Sequence, residues 1–150
     1  GRLRMEGYRA AYARRNLSVA ENLICYVQEE IEHYSMENGY LTAKKLLESG
    51  EEVTAIYAVS DSLAIGACRA VLEAGKRIPE DISVAGYDGI EMGEYYNPKL
   101  TTIKQPVEEI AKRTIRLLLD VIAGRKDHQQ IIFPAQLVVR ESTGKCRCSI

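Results

Sequence analysis

Short apolar runs of strand length alternate along this chain with longer segments whose apolar residues recur every three or four positions, and this alternation constrains the fold most. Thr54 to Val59 is apolar and β-branched, as a strand wants. The next segment repeats Leu63, Ala67, Ala70, Val71 and Ala74 at helical spacing and stops at Gly75. Pro79 then breaks the chain before a second strand, Ile82 to Ala85. Strand, helix and strand in that order make a crossover unit, so the expected class is α/β: a mainly parallel open sheet flanked by helices.

The remaining elements follow the same logic. Met5, Tyr8, Ala11 and Tyr12 share one face of a first helix that Asn16 ends. Leu23 to Val27 is apolar and of strand length. Ser35 caps a helix with Met36, Tyr40, Ala43 and Leu47 on its core side, and Gly50 stops it. A short helical stretch is expected at Ile90 to Tyr95, and Leu100 to Ile103 is extended. Pro106 opens the longest helix, which carries Glu108 and Glu109 where the helix dipole favours acids and ends at Gly124. Two short strands, Gln130 to Phe133 and Gln136 to Arg140, close the fold, and a disordered tail is expected from Lys145.

Composition narrows the function. With 46% hydrophobic and 27% charged residues, the 150-residue chain reads as one soluble globular domain. No apolar run approaches the roughly 20 residues of a membrane span. The net charge of −1 lacks the basic surplus of a nucleic-acid-binding domain, and Arg2, Arg4, Arg9, Arg14 and Arg15 read mainly as a solvated helix face. The opening Gly1-Arg2-Leu3-Arg4 reads as a segment of a longer protein. Cys25 and Cys68 sit in apolar stretches and read as small buried hydrophobes. Cys146 and Cys148 lack the spacing of redox or zinc motifs, and His33 and His128 complete no ligand set. A reduced, cytoplasmic protein without metal or cofactor is the simplest expectation. Phosphate-loop, metalloprotease and nucleophile-elbow signatures are missing, so no enzyme is indicated.

Open α/β sheets bind ligands beyond the carboxyl ends of their strands. Four residues fall there: Asp88 after the strand Ile82 to Ala85, Ser60 after Thr54 to Val59, Tyr34 ahead of its helix, and Arg4 at the opening of the first helix. A carboxylate accepts from neighbouring hydroxyls, a guanidinium donates a planar fork, and a tyrosine ring suits the C–H face of a sugar. Each residue also has an ordinary reading. Tyr87-Asp88-Gly89 is a turn sequence, Ser60 or Asp61 caps the helix, Tyr34 fits simple packing, and Arg4 fits a surface position.

Five segments taken in order resemble one family. Ala55-Ile56-Tyr57-Ala58-Val59-Ser60-Asp61-Ser62-Leu63-Ala64-Ile65-Gly66, Ile78 to Asp88 with its Gly-Tyr-Asp end, Pro98-Lys99-Leu100-Thr101-Thr102-Ile103-Lys104-Gln105-Pro106, Arg4-Met5-Glu6-Gly7-Tyr8 and Leu137 to Thr143 are similar to the lactose/galactose repressor (LacI/GalR) family. The resemblance covers residues 1 to about 144. It implies the C-terminal effector-binding region of a transcription regulator, with a periplasmic-binding-protein-like fold. Residues 1–104 would be the C-terminal subdomain, 105–125 a helix of the N-terminal subdomain and 126–144 the closing strands. Arg4, Tyr34, Ser60 and Asp88 would line the effector cleft. Position 60 is often Asn in the family and is Ser here.

The resemblance further implies a homodimer through the helix Ser62 to Ala74 and the segment at Tyr95 and Tyr96, with Ile65 and Leu72 on the shared face. Operator DNA would be met only through a helix-turn-helix headpiece outside this chain. The effector would be a sugar or a related small molecule. The alternatives are a periplasmic-type sugar-binding protein feeding a transporter and an α/β enzyme. The apolar stripe of the longest helix, including Ile110, Leu117, Leu118 and Val121, predicts that it is hidden against a neighbouring chain or folded back on its own sheet.

Overall fold

The computed structural model describes residues 2–125 and 130–146. In chain order the elements are α1 (Arg2–Ala13), a single 3-10 turn (Glu21–Leu23), α2 (Met36–Glu48), β1 (Ala55–Tyr57), α3 (Asp61–Glu73), β2 (Ser83–Asp88), α4 (Met92–Tyr95), β3 (Thr101–Lys104), α5 (Val107–Ile122) and β4 (Gln136–Val138). The strands form one sheet in the order β1-β2-β3-β4. The first three are parallel, and β4 runs antiparallel to β3. The sheet is thus mixed and mostly parallel, as the alternation of elements predicts.

The core is built on α3. Leu63, Ala64, Ile65, Ala67, Cys68, Ala70 and Val71 are all buried, and Ala64, Ile65, Cys68 and Val71 cluster with Ile78, Ile82, Val84 and Leu100. Burying each large aliphatic side chain contributes about 1.5–3 kcal/mol. The small residues of α3 serve a second purpose. Its other flank meets α2 backbone to backbone: a Cβ on Gly66 would lie 2.0 Å from the Met36 carbonyl oxygen, and one on Gly39 would lie 2.2 Å from that of Leu63. The two helices cross at this distance only because both positions lack a side chain. Asn38, fully buried beside this crossing, accepts from the Gln28 amide at 2.9 Å and donates to the Gln28 carbonyl at 2.9 Å, fastening the preceding loop.

The final stretch seals the other end of the sheet. Ser142 is fully buried; its hydroxyl donates to the Val84 carbonyl at 2.6 Å and accepts from the Thr101 amide at 2.8 Å. Arg140 donates to the Leu100 carbonyl at 3.0 Å and to Glu94 at 2.6 Å.

Several expectations are corrected. Residues 23–27 form no ladder: residue 23 ends the 3-10 turn, and the chain then runs on unpaired until Gln28 meets Asn38. Residues 130–133 likewise pair with none of the described strands. Cys25 is exposed rather than buried. Ile65 is 5% exposed and part of the core, because α3 is covered on two sides and its buried arc extends past the usual single face; it is removed from the candidate association surface. Tyr96 is half-buried against that core, whereas Leu72 at 44% and Tyr95 at 81% exposure remain on the surface. Of the expected disordered tail, residues 147–150 lie outside the described residues.

Helix α5 does not fold back onto the sheet. It has no buried residue, and Ile115, Leu118, Leu119 and Ile122 are each more than half exposed. Of the two coverings expected for it, the chain itself supplies neither; the neighbouring chain is the one that stays open.

The glycine crossing generates a direct test. Gly66→Ala should cost about 2–3 kcal/mol or more, since neither facing atom is a side chain that can rotate away. Gly7→Ala in α1, where nothing lies within 4 Å of the added carbon, should be neutral or stabilising by up to about 1 kcal/mol. Urea-denaturation midpoints of the two variants check this, and equal effects would disprove the close crossing.

Candidate functional site

The site begins with a buried carboxylate. Asp61 opens α3 and is fully buried. It accepts from the Gly89 amide at 2.7 Å, the Ile90 amide at 2.8 Å and the Thr102 hydroxyl at 2.6 Å. One side chain therefore ties the start of α3 to the turn after β2 and to β3. Gly86 makes room for it, since a Cβ there would sit 2.2 Å from Asp61 Oδ1. Of the two residues able to cap α3, Ser60 is the N-cap, and its hydroxyl accepts from the Leu63 amide at 3.2 Å. Serine and aspartate both cap helices, so the sequence could not choose between them.

The turn that Asp61 secures presents Asp88. This residue ends β2 with φ at +125°, a conformation that costs a non-glycine residue about 1–3 kcal/mol. The surroundings hold it there: the Gln105 amide donates to its carbonyl at 3.2 Å, while the next two amides are bound by Asp61. Its carboxylate accepts from Gln105 Nε2 at 2.8 Å and faces Arg4 Nη2 at 3.8 Å, both at Oδ1. Burial raises the Asp88 pKa, outweighing Gln105 and Arg4, which lower it.

Arg4 reaches this spot from α1. Its guanidinium lies 3.8 Å from the centre of the Tyr87 ring and also donates to the Val59 carbonyl. Tyr57 ends β1 on the face of the sheet away from α3, and Asp88, Arg4 and Tyr87 all act electrostatically on its phenol, whose pKa burial raises. Arg4, Tyr57, Tyr87, Asp88 and Gln105 thus gather at the carboxyl ends of β1, β2 and β3. Sequence reasoning found Arg4 and Asp88 but missed Tyr57, Tyr87 and Gln105; a place within one residue of a strand's carboxyl end was the signal available for all three.

The other two candidates stand differently. Ser60 is 4% exposed with its oxygen engaged in the cap, so it supports the site from below. Tyr34 is 53% exposed and, among the described residues, makes no hydrogen bond or ring contact with Arg4, Ser60 or Asp88. The cluster forms an open wall. Two concavities lie away from this cluster, one between α5 and Phe133 and one at the opposite strand ends around Thr54, Asp81 and Thr143. Among the described residues no group of three or more His, Cys, Asp or Glu side chains could hold a metal ion, and no helix is long and apolar enough to cross a membrane.

Comparison with known proteins adds the context. The family model of the periplasmic binding protein-like domain matches residues 1–143. The HTH-type transcriptional regulator MalR of Clostridium butyricum is 34% identical over 139 residues, which cover 93% of this chain and 40% of that protein. The chain therefore spans less than half of this relative. Among solved structures, the transcriptional regulator CelR in complex with cellobiose matches at a TM-score of 0.85 and 31% identity, over 93% of this chain and 41% of that one. A LacI family regulator from Enterococcus faecium with bound ribose matches at 0.67 and 43% identity, over 74% and 41%. These relatives are transcriptional regulators, not enzymes.

Two outcomes are expected at the site. Asp61→Asn keeps one oxygen for the Gly89 and Ile90 amides but puts an NH2 where the Thr102 hydroxyl now donates, and it removes the charge that strengthens all three bonds; it should cost about 1–3 kcal/mol, read from the urea midpoint. Asp88→Asn should act oppositely. A carboxyl whose pKa is higher in the folded than in the unfolded state favours folding while protonated, and that contribution is lost as pH rises through the folded value. The Asn variant should therefore be the more stable at neutral pH, with the gain shrinking to nothing as the medium is acidified below the ordinary carboxylate range. A constant difference across that range would contradict the burial of Asp88.

Proposed function

The chain belongs to the periplasmic binding protein-like family, among the LacI-type transcriptional regulators, and on that premise we propose that it forms one wall of a sensor site for a neutral sugar. The carrying observation is the meeting of Arg4 with Asp88 over Tyr87 at the strand carboxyl ends. Because the guanidinium already faces a carboxylate, the pair offers hydrogen-bond donors and acceptors with little excess charge. That matches the vicinal hydroxyls of a polyol better than an anion. Tyr57 and Tyr34 supply half-exposed ring faces for the C–H surface of the sugar, and Ser60 fixes the loop behind them. Solved relatives with cellobiose and ribose bound agree in chemical class.

In this reading residues 1–104 are the C-terminal subdomain, 105–125 a helix that packs in an N-terminal subdomain, and β4 brings the chain back to the C-terminal subdomain; the bare face of α5 supports it. Sugar binding draws the two subdomains together and shifts the population of a homodimer whose surface includes Leu72, Tyr95 and the half-buried Tyr96. Operator DNA is met through a helix-turn-helix headpiece of the same protein, in the cytoplasm. The regulator reading is preferred to a transporter's binding protein because the relatives matched over most of the chain are regulators.

Calorimetry on the protein with both subdomains present, against a panel of cellobiose, ribose and other common mono- and disaccharides, tests the proposal. At least one should bind, and Asp88→Ala should weaken it by about 1.5–3 kcal/mol, roughly ten- to a hundredfold. Binding that survives Asp88→Ala unchanged, or no binding across the panel, would sink it.

A further inference from the structure

Gln105 stands where β3 leaves the sheet for α5, and it is bonded in three directions. Its side-chain amide donates to Asp88 Oδ1 at 2.8 Å, its backbone amide donates to the Asp88 carbonyl at 3.2 Å, and its own carbonyl accepts from the Val107 amide at 2.9 Å, at the first turn of α5. The neighbouring Lys104 is the register partner of Asp88 across β2 and β3. A strained carboxylate and the crossover into α5 therefore share a single residue.

We propose that Gln105 is a positioning residue for the sugar site: it fixes the rotamer of the Asp88 carboxylate and links that carboxylate to the β3–α5 crossover. Two arguments carry this. A residue at a φ of +125° keeps its direction only if something outside it sets that direction, and Gln105 holds both its carbonyl and its carboxylate. Arg4, the other partner, is at 3.8 Å and addresses the same oxygen, so the shorter contact from Gln105 determines where Oδ1 points. A ligand hydroxyl meeting Asp88 acts on a group that is hydrogen-bonded to the start of the crossover. The site thereby has a route to α5 that does not pass through the core. The assignment of a sugar rests on the preceding proposal; the Gln105 contact does not.

The test reads the contact without a ligand. The Asp88 side-chain carbon is followed by NMR through a pH titration of the full chain, with Asp88→Asn identifying its signal. Three variants are compared: Gln105→Ala, Gln105→Met, which keeps the volume but has no donor, and Gln105→Glu, which adds a like charge. The other groups facing Asp88, namely Arg4 from α1, Asp61 from α3, Tyr57 from β1 and Lys104 from β3, are unchanged throughout. Losing a hydrogen bond to the charged form raises a carboxyl midpoint, and a like charge raises it further. Ala and Met should therefore shift the midpoint upward alike, and Glu should shift it more. Titrations that coincide with the parent, or a Met variant that restores the parent midpoint, would overturn the proposal by reducing Gln105 to packing. In the same variants, affinity for whichever sugar of the panel binds should fall with the upward shift. A shifted midpoint in a protein that carries both subdomains and binds no sugar would refute the sensor reading while leaving the Gln105–Asp88 contact established.

Discussion

Everything at the carboxyl end of this sheet depends on the buried carboxylate of Asp61. A charge without solvent is tolerable only when donors surround it, and here two backbone amides and a hydroxyl do so. Those donors belong to the turn after β2 and to β3. The interaction that settles Asp61 therefore also fixes the turn carrying Asp88. Gly86 has no side chain because the space beside β2 is taken by Asp61 itself. The carboxylates of Asp88 and Asp61 are two layers of one arrangement, and the inner one lets the outer one keep a strained backbone conformation.

The two halves of the molecule differ in how they are held. Helices α2 and α3 and the first three strands interlock through a dry core and a backbone-to-backbone crossing. Helix α1 has no buried residue, and its Arg4 bonds or faces Val59, Asp88 and Tyr87 at the strand ends. Helix α5 has none either, although it carries a broad apolar stripe. A helix of that composition gains little from standing in water, and its stabilisation must come from surfaces beyond this chain's own sheet. The rigid part thus supplies the geometry of the site, while the elements entering and leaving it are attached through the site's own polar residues.

The sequence misled in places that share a cause. Ser60 and Asp61 are adjacent and equally able to cap a helix; which one caps depends on where β3 lies, because only Thr102 and the amides after β2 draw the aspartate inward. Ile65 is expected on the shared face with Leu72, but α3 is covered on both flanks, so a wider arc is buried than the periodicity of one face suggests. Residues 23–27 and 130–133 have strand composition without a strand, since a strand also needs a partner edge. Gln105 and Tyr57 gave no local signal beyond their places at strand ends.

The sequence by itself determined the class of fold, the order of its elements and most of their stops. Gly50, Gly75 and Gly124 end their helices with positive φ, and Asn16 follows α1 in the same region, because these residues adopt left-handed backbone at the least cost. It also determined, through its ordered motifs, the family and two of the residues that meet at the site. The tertiary structure alone decided which polar residue is structural and which is presented, how close two helices approach, and that Gln105 bridges Asp88 to the crossover. The physical reason is range. Capping, periodicity and turn preference act within a few residues, whereas the partners of Asp61 and Asp88 come from separate strands and become neighbours only once the sheet has formed.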